Sequence, residues 1–250
     1  MAPRAKKASK KPNPYEGLSA MKGSKLLKKL RDIDGELQKA SKAEDFTGLS
    51  NLIQELRNEK LLNTDKKDVK RVLGYCGMEL FRLTEGLDWN DEESRSFLHF
   101  ILFALHSLEK PDSSEFNRCL KMYKDFYNSA ALRVLTTVDV DCELSLELVN
   151  LVLTISSQSI SGINDLNTRI LVSLFELYKH IPNELIDWVL TKLISKEDGS
   201  KIKDLLIIEK SKFVPSIQQF CVNLLCNAYG NESCYDSNDH VIISHLFSHR

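Results

Sequence analysis

Apolar residues recur along this chain at helical period, most plainly between Leu61 and Leu83, which reads LLNTDKKDVKRVLGYCGMELFRL. Val69, Val72, Leu73, Cys76, Leu80 and Leu83 fall at i, i+3, i+4, i+7, i+11 and i+14, one apolar stripe on a helix that opens around Asp68. Asn63-Thr64-Asp65 just before it is a polar turn that closes a preceding helix. The pair is a helical hairpin of the HEAT type. Such a hairpin cannot bury its own face and needs neighbours stacked on both sides.

The same pattern continues in both directions. Leu26, Leu27, Leu30, Ile33 and Leu37 predict a helix over 24–40, and Leu49, Leu52, Ile53 and Leu56 predict a second one capped by Asp45. After a loop at 85–90, with Gly86 suited to a positive-φ exit, Asp91, Glu92 and Glu93 suit the positive end of another helix. Phe97, Phe100, Ile101, Ala104, Leu105 and Leu108 form its stripe, and Leu98, Leu102 and Phe103 widen it, as expected of a helix packed on more than one side. Pro111 to Ser114 breaks the pattern; Phe116, Leu120, Tyr123, Tyr127, Ala130, Ala131 and Val134 resume it. Leu144, Leu148, Leu151, Val152 and Ile155 follow, then Leu166, Ile170, Leu174, Leu177 and Ile181, then a helix over 184–194 carrying Trp188, with further segments to 247. Paired, about eleven helices repeat at roughly forty residues, the period of HEAT-type units. The predicted class is all-α, a HEAT-type α-α superhelical solenoid, with a basic disordered tail over 1–22 and the array over 23–250, read as the N-terminal part of a longer one.

Composition agrees with this class. Ten Gly and six Pro in 250 residues suit helices with short turns better than a sandwich or barrel. No run is long and apolar enough to predict a membrane span, and the basic start has no apolar h-region of a signal peptide. Charge changes the picture more. Residues 1–42 hold twelve Lys and Arg against four Asp and Glu, whereas the whole chain sums to −1, so a basic leader precedes an acidic body. Arg4, Lys6, Lys7, Lys10 and Lys11 crowd into the first stretch, where a nuclear-targeting signal, a loose phosphate contact or a merely solvated tail all fit. Lys25, Lys28, Lys29 and Arg31 sit on the outer face of the first helix and read as a solvated face.

The chemistry of catalysis is not legible. No phosphate loop, dinucleotide fingerprint, nucleophile elbow or H-E-x-x-H motif is present, and no cofactor or small-molecule substrate is implied. Cys221, Cys226, His240 and His245 approach a two-Cys, two-His spacing, but Cys221 lies in the apolar run QFCVNLLC and cysteines five apart point to different helix faces. They read as core cysteines and surface histidines. Cys76 and Cys221 inside apolar patterns read as reduced core residues of a cytosolic or nuclear protein.

Two stretches carry a family resemblance. The run from Leu61 to Leu83 resembles a hairpin of the cohesin-associated "precocious dissociation of sisters" family, with Asp68, Val69, Cys76, Leu80, Phe81 and Arg82 in matching places. LEKPDSSEFNRCLKMYKDF, from Leu108 to Phe126, resembles a second stretch of that family through Leu108, Glu109, Ser114, Phe116, Asn117 and Arg118. Cys142 to Leu153 resembles the helix that follows, so the likeness runs from about Leu26 to Tyr229.

The resemblance implies a nuclear, non-enzymatic HEAT-repeat regulator of sister-chromatid cohesion. It would bind the kleisin subunit of cohesin and the Wapl-type releasing factor, meet chromatin indirectly, and act in mitosis, cell division and DNA repair. After its Arg82-like position the family carries a two-proline loop that receives partner peptides. This chain instead reads Thr84-Glu85-Gly86-Leu87-Asp88-Trp89. Arg82, Glu85, Asp88 and Trp89 are therefore the candidate partner-binding residues, the alternative for Trp89 being a packing residue folded back onto the hairpin as a staple for the next helix. The alternative from a different class is a helical-repeat interaction adaptor unrelated to cohesin.

Overall fold

A surface helix buries one stripe, yet from Val72 to Leu83 only one residue, Arg82, is not buried. That helix is the axis of the first half of the fold. The computed structural model describes residues 13–85, 91–156, 158, 160 and 162–194 of the chain. Ten α-helices occur among the described residues: α1 Gly23–Leu37, α2 Leu49–Leu56, α3 Glu59–Leu62, α4 Lys67–Thr84, α5 Asp91–Leu105, α6 Phe116–Asn128, α7 Ala131–Val138, α8 Glu143–Ser156, α9 Ile163–Leu177 and α10 Asn183–Ile194. No strand occurs among the described residues, and the class is all-α with short connections, as expected of HEAT-type hairpins.

The helices fall into two compact units: Met1–Ser107 with Ser114–Ala131, and Leu108–Ser113 with Leu132–Arg250. In the first, α4 packs against α1, α5 and α6. Two glycines set the approach to α5. A Cβ on Gly74 would overlap the Phe100 carbonyl, and one on Gly77 would lie 2.6 Å from Phe97 Cδ1. Only glycine allows the helices so close.

In the second unit α8 packs on α9 and α10. Asp139 starts α8: its Oδ1 accepts from the Leu144 N–H at 3.0 Å and its Oδ2 from the Ser145 N–H at 2.7 Å. The Ser145 and Tyr178 hydroxyls share a buried 2.6 Å hydrogen bond.

Several sequence expectations shift by a few residues. The basic leader is packed well before 22: Tyr15 and Leu18 are buried, and the Tyr15 ring stacks on Phe46 at 6.1 Å. Asp45 does not cap α2. Its Oδ2 accepts from the Ser41 and Lys42 N–H groups at the head of a short 3-10 turn, and α2 starts on Gly48 at φ 84. The helix predicted from Phe116 to Val134 is two. Ser129 ends α6 in an extended conformation, and its Oγ accepts from the Ala131 N–H to start α7. The buried stripe of α6 is Cys119, Met122, Tyr123 and Phe126, not Phe116, Leu120 and Tyr127. On α9, Ile163, Asn167, Ile170, Leu171, Leu174 and Phe175 face inward, while Leu177 is exposed.

Candidate functional site

Buried charge marks the place in the first unit where polar chemistry converges. Glu79 lies on the inward face of α4, 1% exposed, and Asp34 on the inward side of α1, 8% exposed. A buried carboxylate is costly unless cations and donors surround it. Here they do. Arg118 of α6 reaches across so that its Nη2 donates to Asp34 Oδ1 at 2.6 Å and to Glu79 Oε1 at 3.0 Å. Its Nε also approaches Asp34 Oδ2, at 3.4 Å, and Gln38 Nε2 donates to that same oxygen at 2.9 Å.

Arg82, one turn beyond Glu79, holds the second oxygen of the carboxylate, with Nε to Oε2 at 2.7 Å. Its Nη2 donates to the Leu37 and Ala40 carbonyls at 3.1 and 2.9 Å, at the C-terminal end of α1. The planar guanidinium fork makes both double engagements possible. The Arg118 guanidinium also stacks 5.1 Å from the Tyr75 ring centre, and the Tyr75 hydroxyl donates to Glu115 Oε2 at 2.9 Å. At the edge of this network Lys121 Nζ stands 3.9 Å from Glu79, half exposed.

The electrostatics follow from burial. Desolvation raises the Asp34 carboxyl, and the contacts from Arg118 only partly oppose it. For Arg118, burial alone would lower the guanidinium, but the hydrogen bonds and charges of Asp34 and Glu79 turn the net shift upward. Desolvation, then the neighbouring Glu79 charge, raises Asp125 on α6. Burial also raises the thiols of Cys76 and Cys119, so neither is primed as a nucleophile. The arrangement ties three helices together; it leaves no acid–base pair open to a substrate.

The sequence-derived candidates divide sharply. Arg82 is spent on Glu79 and on the end of α1. Glu85 is exposed at the end of α4 with φ 54, a left-handed conformation, while the positive-φ exit assigned to Gly86 falls outside the described residues. Gly86, Asp88 and Trp89 lie outside the described residues, as do Arg4, Lys6, Lys7, Lys10 and Lys11, and also Cys221, Cys226, His240 and His245. Among the described residues no three His, Cys, Asp or Glu are grouped to hold a metal, no helix is long and apolar enough to cross a membrane, and Cys76, Cys119 and Cys142 are buried free thiols. Sequence reasoning missed Glu79 and Asp34. The usable signal was the three-residue spacing of Glu79 and Arg82 inside an otherwise apolar helix.

Comparison with known proteins bears on the same residues. The model of the family described as sister chromatid cohesion protein PDS5 matches residues 24–249. No curated protein matches the chain. Among solved structures, a chain from the Pds5–Scc1 complex, reported for its implications for cohesin function, is similar with a TM-score of 0.67 and 13% identity. The likeness covers 91% of this chain and 36% of that one, so this chain spans about a third of the solved chain's length. At that identity the structural likeness establishes the helical fold. The sequence match, which runs from the second residue of α1 to the last but one of the chain, establishes the family: the chain belongs to the sister chromatid cohesion protein PDS5 family.

Proposed function

We propose that this chain is a non-catalytic scaffold of sister-chromatid cohesion that binds the kleisin subunit of cohesin. The observation that carries the reading is the family match across residues 24–249. The similar solved chain comes from a complex with Scc1, which supports a kleisin-type partner. Arg82 and Arg118, the two arginines that carry the family resemblance, are consumed in holding Glu79, a structural use that suits a scaffold and not a reaction centre. In this reading the protein works in the nucleus and meets chromatin through cohesin, during mitosis and DNA repair. It also receives the Wapl-type releasing factor near the end of α4, through Glu85, Asp88 and Trp89.

Affinity purification of the full chain from dividing cells, read by mass spectrometry, tests the scaffold. Kleisin and the other cohesin subunits are expected; importins or phosphatase subunits in their place overturn it. A Wapl-derived peptide titrated against the wild type and a Glu85→Lys/Asp88→Lys variant tests the loop. Weaker binding by the variant is expected, and equal affinity removes the loop from the function.

A further inference from the structure

The first half of α1 presents an array of cations with no carboxylate to hold them. Lys22, Lys25, Lys28 and Arg31 are exposed, and none has an acidic partner within ion-pair distance among the described residues. Lys29 lies beside them with its ammonium 5.7 Å from the centre of the Tyr15 ring. Lys25, Lys28 and Lys29 are spaced three and four apart, so like charges stack on one face, which weakens a helix. They also stand at the wrong end of it. The first turn of α1 contains no acid, and the Lys22 cap makes no side-chain hydrogen bond, so cations crowd the positive end of the dipole. Asp32, four residues on from Lys28, shares the exposed face without reaching ion-pair distance, Glu36 follows one turn later, and Glu16 precedes the patch. For a helix whose only task is to fold, the stacked lysines and the basic, acid-free start are unfavourable. An anionic ligand relieves them all.

We propose that Lys22, Lys25, Lys28 and Arg31 form a sequence-independent contact for the phosphate backbone of duplex DNA. From Lys22 to Arg31 the chain advances about 14 Å and the cations, three residues apart, turn through about half a circle, so they spread across the solvent side of α1. The chemistry of the face selects the duplex over other polyanions. Stable anchoring to a membrane adds inserted apolar side chains to such cations, but Leu26, Leu30, Ile33 and Leu37 of α1 are all buried in the fold and only Met21 is exposed beside the patch. Single-stranded nucleic acid requires aromatic platforms, but the aromatic ring beside the patch, Tyr15, is buried and stacked on Phe46. What remains is a band of solvated cations across the exposed side of a helix, suited to phosphates and indifferent to bases. This inference is independent of the kleisin reading.

The test is fluorescence anisotropy of a short random-sequence duplex with the full chain at several salt concentrations. Neutralising Lys25→Gln/Lys28→Gln/Arg31→Gln should weaken binding by about tenfold or more at low salt. The slope of log affinity against log salt should flatten by roughly 2.7, the three lost phosphate contacts at about 0.9 each. Far-ultraviolet circular dichroism should match the wild type, since all three side chains are exposed. A control with the same charge change at the start of α4, Lys66→Gln/Lys67→Gln/Lys70→Gln, should bind as the wild type does. Four outcomes overturn the proposal: no duplex binding by the wild type; equal loss in the control, which reduces the effect to net charge; equal or tighter binding to single strands or to phosphatidylserine vesicles; or complete loss on neutralising Lys6, Lys7, Lys10 and Lys11 while the α1 variant binds normally.

Discussion

Arg118 Nη2 and Asp34 Oδ1, 84 residues apart in the chain, stand 2.6 Å from one another. With the second contact from the same nitrogen to Glu79, this pair decides how α1, α4 and α6 sit together. Replacing Arg118 with Leu leaves the buried Asp34 carboxylate without its cation and Glu79 with only Arg82 and the half-exposed Lys121. That should cost about 3–5 kcal/mol of stability, read as a drop in the urea midpoint. Arg118→Lys keeps the charge but not the fork and should fall between. Adding Asp34→Asn to Arg118→Leu should recover part of the loss, because the carboxylate left without a cation is then gone.

Asp125 should respond in the opposite sense. Its Oδ2 is buried without a hydrogen-bond partner among the described residues, and Glu79 adds like charge. A carboxyl raised on folding stabilises the native state at pH values below its unfolded pKa, and that contribution is lost as pH rises through the higher folded value. Asp125→Asn is therefore expected to stabilise the protein at pH 7, by up to about 1 kcal/mol for a partly exposed group. The gain should shrink as pH falls through the carboxylate range and the wild-type Asp125 takes up its proton. Melting temperatures of the two proteins from pH 7 down to pH 4 check the sign.

The glycines of α4 separate two opposing effects. Alanine in place of glycine inside a helix gains about 1 kcal/mol from propensity alone. At Gly74 the new methyl meets the backbone of Phe100, which cannot move without moving α5, so Gly74→Ala should lose about 3 kcal/mol net. At Gly77 the obstacle is the Phe97 ring. A ring can tilt, so Gly77→Ala should lose distinctly less, on the order of 1 kcal/mol. Chemical denaturation of both variants ranks them.

In the second unit, Asp139→Ala removes two N–H acceptors from the head of α8 in a buried setting. The expected loss is about 2 kcal/mol, the upper end for a helix cap. Hydrogen exchange should locate it as faster exchange at Leu144 and Ser145, with Asp139→Asn less affected.

The elements legible in the sequence were those whose packing obeys one local period. Every stripe residue named on α4, from Val69 to Leu83, is buried, because each lies on the face turned to α1, α5 and α6. On α6 the reading slipped. Leu120 and Tyr127 looked like core, yet the inward positions are Cys119, Met122, Tyr123 and Phe126. The large apolar residues of that helix spread over nearly half of its circumference, wider than the face that is buried, so size alone could not choose among them. The break at Ser129 was hidden because two alanines follow it and alanine continues a helix. Asp34 could not be singled out from the sequence, since its cation is 84 residues away and no local window contains it; for Glu79 only the Arg82 spacing was local, while Arg118 lies 39 residues away. Arg118 was noticed only through the family resemblance.

Arg82 also governs how the first unit comes apart. Its Nη2 donates to the carbonyls of Leu37 and Ala40, so the end of α1 is closed by a side chain of α4 as well as by its own next residues. A helix terminated by a distant partner cannot fray independently of it. The last turn of α1 should then open only when α4 undocks, so amides near Leu37 should exchange with the same free energy as those in the middle of α4. Cut away from α4, the segment 23–37 is a fifteen-residue peptide with stacked cations at its head and a poorly closed tail, at the length where isolated helices are marginal in water. The two helices constitute a single unfolding event, although the chain from Leu37 to Lys67 separates them.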